Sequence, residues 1–115
     1  MRNNYSSVVV WEEQVGYSRA VKVGNIIKVS GTTATEGSSI IGDGDMYKQA
    51  AFILQKIIRV LNEAGASAKY IVRTRKFVTD ISAWQPDAKA HHEVFKNIKP
   101  VTTIVQVAAL IDKNF

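Results

Sequence analysis

The stretch MYKQAAFILQKIIRVLNEA, residues 46–64, has apolar side chains that recur at the spacing of an α-helix and form one stripe. The stripe comprises Met46, Ala50, Ile53, Leu54, Ile57, Val60, Leu61 and Ala64. Asp43 and Asp45 stand where a helix N-terminus favours carboxylates, and Gly65 is placed to end the helix in the left-handed conformation. Because a one-sided helix cannot bury its own stripe, we expect it to pack on a sheet built from the segments on both sides.

The composition predicts one domain spanning residues 1–115, with 46% apolar and 22% charged residues. The chain has no cysteine, which excludes disulfides, thiolate nucleophiles and cysteine zinc sites. No apolar run reaches bilayer length and no signal sequence opens the chain, so we expect a cytoplasmic protein without a membrane partner. The net charge of +5 favours an anionic partner only modestly, and solubilising surface charge is the simpler interpretation.

The segments before the long helix predict three strands. Residues 8–11, VVVW, form a short apolar run, and two β-rich runs flank the turn signal Gly24-Asn25, which indicates a hairpin. On the first arm of the hairpin Tyr17, Arg19 and Val21 share one face, because side chains alternate along a strand. Residues 31–44 are rich in Gly, Ser and Thr and predict a loop without the spacing of a nucleotide-binding motif.

The segments after the long helix predict strand, helix and strand. Residues 70–80 alternate so that Arg73, Arg75 and Phe77 share one face, and residues 102–110 give the last strand. Between them we expect a second helix that is capped near Ser82 or Asp87 and ends at Lys99-Pro100, with Pro86 in its first turn. The apolar stripe of this second helix comprises Trp84, Ala88, His91, Phe95 and Ile98.

The order of these elements predicts an α+β sandwich, in which one mixed β-sheet carries two helices on one face. The other face of the sheet would then present a mixture of apolar and basic side chains, which is too apolar to remain wholly in water. It comprises Tyr17, Arg19, Val21, Val23, Arg73, Arg75 and Phe77. We therefore expect subunits to associate through this face, with the arginines lining any gap that remains.

Four segments resemble one known family in the correct order over nearly the whole chain. They are GYSRAVKVGNIIKVSGTTA, QAAFILQKIIRVLNEAGAS, IVRTRKFVTDIS and KPVTTIVQVAALI. They resemble the Rid family, also called YjgF-like or reactive intermediate deaminases. The resemblance implies a chorismate-mutase-like fold, a homotrimer whose sheets form a central barrel, and small-molecule clefts between subunits. It also implies hydrolysis of reactive enamines and imines to 2-oxo acids and ammonia, without a cofactor or metal.

The chain departs from the family where the family binds the substrate carboxylate. Active members have an arginine two residues after the proline that corresponds to Pro100, and Thr102 occupies that position here. A hydroxyl lacks both the charge and the bidentate geometry of a guanidinium. A cysteine that often follows in the family is replaced by Ile104, and the family's last strand, which carries a glutamate, has no counterpart before Phe115. We expect that strand to be missing, whether naturally or by trimming.

The residues that match the family are Tyr17, at its cleft tyrosine, and Ser30-Gly31, whose backbone lines the same cleft. Tyr17 and Thr102 are therefore the candidate catalytic residues, and Arg19, Ser30, Gly31 and Arg75 the candidate ligand-binding residues. Arg19, Arg73 and Arg75 can form a substitute anion site, or they are interface arginines that pair with carboxylates. His91 reads as a packed histidine of the helix stripe rather than as a catalytic one.

Three classes of function remain open. The first is a Rid-type hydrolase with an altered site, in which Tyr17 and Thr102 orient water and supply a proton. The second is a trimeric binder of small metabolites without turnover, which uses the same cleft. The third is an RNA-binding or endoribonuclease-like protein, suggested by the basic run Lys69, Arg73, Arg75 and Lys76, and this class ranks last.

Overall fold

The computed structural model of this chain describes residues 1–7, 9–112 and 115, and its elements form the predicted mixed α+β fold. The helices are α1 (Val10–Val15), α2 (Met46–Glu63) and α3 (Trp84–Phe95). The strands are β1 (Arg2–Tyr5), β2 (Ala20–Val23), β3 (Ile26–Val29), β4 (Thr35–Glu36), β5 (Ser39–Ile40), β6 (Arg73–Val78) and β7 (Val101–Gln106). Two short 3₁₀ turns, Ala68–Tyr70 and Ile81–Ala83, precede β6 and α3.

Helix α2 begins at Met46 as predicted and ends at Glu63, one residue before the predicted end at Ala64. The Asp45 side chain accepts a hydrogen bond of 3.0 Å from the Lys48 backbone N–H and caps the N-terminus. Gly65 follows the helix with a φ of +84°, the left-handed conformation that glycine adopts without a steric penalty. Asp43, the other carboxylate expected near this terminus, does not serve as the cap residue.

The predicted hairpin is formed by β2 and β3, with Val23 opposite Ile26 across the Gly24-Asn25 turn. β1 adds to the other edge of β2 in antiparallel orientation, a strand that the sequence did not predict because RNNY lacks apolar alternation. The Lys22 ammonium donates a hydrogen bond of 3.2 Å to the Ala64 carbonyl at the end of α2. This bond fixes the hairpin against α2, because it satisfies a carbonyl that a helix terminus leaves unpaired.

Strands β6 and β7 pair in parallel, and α3 is the connection between them. The alternation predicted for β6 is confirmed. Thr74, Lys76 and Val78 are partly or fully buried, whereas the side chains of Arg73, Arg75 and Phe77 are exposed. α3 also packs beside α2, so the two longer helices form one layer.

The prediction of a strand at residues 8–11 is wrong. Val10 and Trp11 begin α1, while Val8 lies outside the described residues. α1 ends at Gly16, whose φ is +88° and whose N–H donates to the Glu12 carbonyl at 2.9 Å. The Glu12 carboxylate is buried and accepts from the backbone and hydroxyl of Ser7, five residues earlier, and this burial overrides the β-propensity of the valines.

Three further local predictions need correction. The segment 31–44 is not wholly a loop, because β4 and β5 form a small hairpin whose turn contains Gly37 at a φ of +62°. Neither Ser82 nor Asp87 caps α3: Asp80 accepts from the Ser82 N–H at 3.0 Å and caps the preceding 3₁₀ turn. Both C-terminal strands are shorter than expected, because β6 and β7 pair over only six residues each.

The described backbone hydrogen bonds form three sheets, β1-β2-β3, β4-β5 and β6-β7, instead of the one sheet predicted. The difference arises because no ladder joins the β1-β2-β3 sheet to the β6-β7 sheet within the described residues. Each of these sheets therefore keeps unpaired edges. Arg19 was predicted to lie on the uncovered face of the sheet. It is instead buried beside α1 and the segment at Gly31.

The chain exposes more surface than a compact monomer of its size. Its accessible surface is 7800 Å², whereas about 6,200 Å² is expected for a folded monomer of this mass. Its extents are 42 × 36 × 20 Å, and none of its described large side chains is fully buried. Among the described helices, none has the length and apolar character needed to cross a membrane.

We predict that Asp45→Ala lowers the free energy of unfolding by about 1 kcal/mol, because the cap of α2 is lost. Chemical denaturation of both proteins measures the change. Asp43→Ala is the matched control, since it removes the same charge nearby without removing the cap. Equal destabilisation by both substitutions would show that the charge at this terminus matters and the capping hydrogen bond does not.

Candidate functional site

A cleft of about 180 Å³ lies between α1, the start of β2 and the segment that follows β3. It is lined by Val9, Trp11, Val15, Tyr17, Arg19, Gly31, Thr33, Thr35, Ile111 and Phe115. We call this the Arg19 cleft, because Arg19 is the only charged side chain among these residues. Its walls are otherwise apolar side chains, threonines and backbone.

The guanidinium of Arg19 is held at the cleft by its backbone and by one carbonyl. Its backbone N–H donates to the Tyr5 carbonyl at 2.8 Å, and its carbonyl accepts from the Ser30 N–H at 3.0 Å, which extends the β1-β2-β3 ladder by one residue. Its Nη2 donates to the Gly31 carbonyl at 2.6 Å, and the guanidinium lies 5.8 Å from the centre of the Tyr17 ring. The register of the hairpin therefore places Arg19, Tyr17 and Gly31 together.

Arg19 is buried without a compensating carboxylate. Its relative exposure is 4%, and its Nε is buried with no hydrogen-bond partner. Over residues 1–7, 9–112 and 115 it forms no salt bridge. Removing a charge from water without a partner is costly, so this cleft is electrostatically suited to an anion.

Lys56 of α2 adds a second cation next to the cleft. Its ammonium donates hydrogen bonds to the Thr35 carbonyl at 2.9 Å and to the Thr35 hydroxyl at 3.2 Å. Burial lowers the pKa of Lys56, and the charge of Arg19 lowers it further, while Glu12 opposes this shift. The two cations thus repel one another, and an anion near Arg19 would relieve that repulsion.

The structure brings together three of the six predicted site residues, namely Tyr17, Arg19 and Gly31. Ser30 is not in the cleft lining, although its backbone N–H donates to the Arg19 carbonyl at 3.0 Å and its hydroxyl donates to the Ser18 carbonyl at 2.7 Å. Arg75 is exposed on β6 and has no ion pair within the described part of the chain. A ligand role for Arg75 stays a prediction.

Thr102 lines a different cavity of the same chain, which lies between α3 and the strands β6 and β7. Its hydroxyl accepts a hydrogen bond of 2.7 Å from Thr74, and the Thr74 hydroxyl lies 2.9 Å from Nε2 of His91. Burial lowers the pKa of His91, and the charge of Lys76 acts in the same direction. Within one chain, the two candidate catalytic residues Tyr17 and Thr102 therefore do not share a cavity.

Sequence reasoning missed Trp11, Thr33, Thr35 and Lys56. Trp11 was assigned to a strand, and the two threonines to a loop, so no face could be assigned to them. Lys56 lies outside the apolar stripe of α2, and nothing in a helical pattern shows what its ammonium contacts. No group of three or more metal-ligating side chains occurs in the described portion of the chain.

Comparisons with known proteins identify the family. Residues 10–115 match the family described as Endoribonuclease L-PSP. A YjgF/YER057c/UK114 family protein from Mycobacterium tuberculosis has a similar structure, with a TM-score of 0.91 and 41% identity over 99% of this chain and 91% of that one. A RutC family protein from Pyrococcus abyssi is 32% identical over 82% of this chain and 75% of its own length.

A third relative has a named activity. It is the 3-aminoacrylate deaminase RutC of Acinetobacter baylyi, 29% identical over 79% of this chain and 73% of its own length. The match over residues 10–115 extends through the hairpin, both long helices and β7. The chain therefore belongs to the Endoribonuclease L-PSP family, the YjgF/RutC or Rid family.

Proposed function

We propose that this protein binds a small carboxylate-bearing enamine or imine in the Arg19 cleft and hydrolyses its carbon–nitrogen bond. The observation that carries the proposal is the buried guanidinium of Arg19, which has no carboxylate partner in the described chain and lies against Tyr17. A carboxylate in the cleft would offset the cost of burying this charge, which is several kcal/mol for an unpaired ion.

The size of the cleft restricts the ligand. A volume of about 180 Å³ is smaller than the several hundred Å³ that drug-sized ligands occupy. A carboxylate with a few carbon atoms suits this space, and 3-aminoacrylate, named for the Acinetobacter baylyi relative, is such a compound. We therefore expect a short unsaturated amino or imino acid as the substrate.

The reaction requires water and a proton donor. An enamine first moves a proton from nitrogen to carbon and becomes the imine. Water then adds to the carbon of the C=N bond, the nitrogen takes up the two protons of that water and leaves as ammonia, and a carbonyl group remains. The Tyr17 ring lies beside the Arg19 guanidinium, and its phenol is the hydroxyl of this cleft that we assign as proton donor to the nitrogen. The alternative is a protein that binds the same carboxylate without turnover. It would show the same affinity for the ligand and release no ammonia.

Self-association is the second part of the proposal. Val23, Ile26, Phe77 and Val101 are all more than half exposed, and the molecule exposes more surface than a monomer of its mass should. We propose a homotrimer that covers this surface, with a neighbouring subunit closing each cleft. RNA binding ranks behind this proposal, because Arg73 and Arg75 lie on the same face as the exposed Phe77.

We predict that Arg19→Gln weakens acrylate binding by about ten- to a hundredfold, which is the loss expected for a charge-assisted hydrogen bond. Calorimetric titration with acrylate, a stable analogue of the proposed substrates, measures the change. Arg59→Gln removes the same charge from the exposed side of α2 and should leave the affinity unchanged. Equal affinity of the wild type and the Arg19 variant would refute the proposed anion site.

We predict slow turnover of 2-imino acids, because Thr102, which the neighbouring subunit of the proposed trimer would bring to the cleft, offers their carboxylate no guanidinium. The rate should be about ten- to a hundredfold below that of a relative with arginine at this position. Ammonia release from imino acids generated in the assay by an amino-acid oxidase measures it. Thr102→Arg should raise the rate, and wild-type turnover as fast as that of the relative would contradict the prediction.

We predict a trimer in solution at micromolar concentration, and we expect Phe77→Lys to dissociate it, because a charge would be buried in an apolar contact. Light scattering combined with size-exclusion chromatography measures the mass of both proteins. A monomeric wild type would overturn the proposed assembly. Circular dichroism of the variant separates dissociation from unfolding.

A further inference from the structure

Lys56 of α2 lies behind one wall of the Arg19 cleft. Thr33 and Thr35 line the cleft, whereas Lys56 reaches the same segment from the helix without lining the cleft itself. Its ammonium donates hydrogen bonds to the Thr33 carbonyl at 3.4 Å and to the Thr35 carbonyl at 2.9 Å. The lysine is therefore outside the binding space, and it can contact a ligand only through the groups that it holds.

The third hydrogen atom of this ammonium decides how the Thr35 hydroxyl is used. It is donated to Oγ1 of Thr35 at 3.2 Å, so this oxygen accepts from the side of α2. The hydroxyl keeps one hydrogen atom of its own, and no group of residues 1–7, 9–112 and 115 accepts it. Because Thr35 lines the cleft, that hydrogen atom is available to a ligand there.

The charge of Lys56 also makes the Thr35 hydroxyl a better donor. A hydroxyl that accepts from a charged group is polarised by it and donates more strongly in turn, and a low local dielectric increases the effect. Lys56 is partly buried, so its ammonium acts on Thr35 under these conditions. The chain of hydrogen bonds from α2 through Thr35 therefore ends as a strengthened donor at the cleft wall.

A carboxylate matches the two donors that the cleft then presents. One donor is the Arg19 guanidinium, which gives one hydrogen atom to the Gly31 carbonyl and keeps a buried Nε without a partner. The other is the Thr35 hydroxyl on the opposite side of the same segment. A carboxylate has two oxygens that each accept hydrogen bonds, so one oxygen can accept from Arg19 and the other from Thr35.

We propose that the Thr35 hydroxyl binds the carboxylate of the ligand in the Arg19 cleft, and that Lys56 is the positioning residue that orients this hydroxyl from behind the wall. The inference rests on the proposed function, because it takes the same ligand in the same cleft. Arg19 balances the charge of the ligand, and Thr35 fixes the orientation of its carboxylate.

Substitutions of the two cleft threonines test the proposed contact by calorimetric titration with acrylate. Thr35→Val removes the hydroxyl and keeps the shape, and should weaken binding about tenfold. Thr35→Ser keeps the hydroxyl and should retain the affinity. Thr33→Val is the matched control, because Thr33 lines the same cleft and offers Lys56 its carbonyl, not its hydroxyl. Equal losses in the two valine variants would overturn the role given to Thr35.

A double-mutant cycle tests whether Lys56 acts through Thr35. Lys56→Met removes the ammonium and keeps an unbranched side chain, and should weaken acrylate binding by about the same factor as Thr35→Val. If Lys56 acts by orienting the hydroxyl, its substitution costs little once residue 35 is valine, so the two losses are far from additive. Fully additive losses would show that the two residues act independently, and would overturn the positioning role.

The pH dependence of binding is a readout that a merely structural role would not change. Burial lowers the pKa of Lys56, and the charges of Arg19 and Arg59 lower it further, while Glu12 and Glu36 oppose them. A bound anion favours the ammonium form, so acrylate affinity should fall as the pH rises from neutral through the pKa of Lys56. This fall should be absent in Lys56→Met, and a fall of the same size in both proteins would contradict the proposal.

The same titrations separate this inference from the proposed function. If the wild type binds acrylate and Arg19→Gln weakens the binding, but Thr35→Val binds as tightly as the wild type, the proposed function stands and this inference is wrong. If the wild type does not bind acrylate, the proposed function is wrong and the inference falls with it. Weaker binding in Thr35→Val and in Lys56→Met, with Thr33→Val unchanged, is the result expected.

Discussion

Helix α2 connects the parts of the molecule through polar contacts as well as through its apolar stripe. At its C-terminal end the Ala64 carbonyl accepts from Lys22 of the hairpin, and in its middle Lys56 holds the Thr35 backbone. Near its N-terminus the Tyr47 hydroxyl donates to Glu93 of α3. Since the described sheets share no backbone ladder, these contacts with α2 are what orient the β1-β2-β3 sheet, β4 and α3 around one layer.

The same helix determines the electrostatics of the Arg19 cleft. Lys56 is directed at Thr35 because α2 places it opposite that strand, and its charge then lies close enough to Arg19 to lower the pKa of the lysine. Two carboxylates, those of Glu12 and Glu36, oppose this lowering of the Lys56 pKa. Glu12 already accepts a hydrogen bond from the Ser7 backbone. The positive character of the cleft thus follows from packing, and the net charge of the chain does not reveal it.

Local patterns in the sequence predicted the elements whose period is set by burial of one face. α2, the β2-β3 hairpin and the alternation of β6 all follow from such periods, and the structure confirms them. The pattern failed at Val10–Val15, where a helix that buries Glu12 forms from a β-prone segment. It failed also at β1, which is polar and is defined by its pairing with β2. Neither of these features is encoded in local periodicity.

The candidate site shows the same division between local and long-range information. The resemblance to the Rid family supplied Tyr17 and Gly31, and strand alternation placed Arg19 on the face of Tyr17. What no pattern showed is that the Arg19 guanidinium turns onto the Gly31 carbonyl and is buried there, because this depends on α1 and on the segment after β3.

The departure at Thr102 has a consequence for how an anion is bound. The Thr102 hydroxyl accepts from Thr74, and the Thr74 hydroxyl in turn lies 2.9 Å from Nε2 of His91. The positive groups are now Arg19 in one cavity and Lys96 and Lys99 beside another. A hydroxyl donates one hydrogen bond without charge, so it can orient an anion but cannot balance it. An anion in the Arg19 cleft, as proposed, would therefore take its charge compensation from Arg19 and from Lys56 of the neighbouring helix.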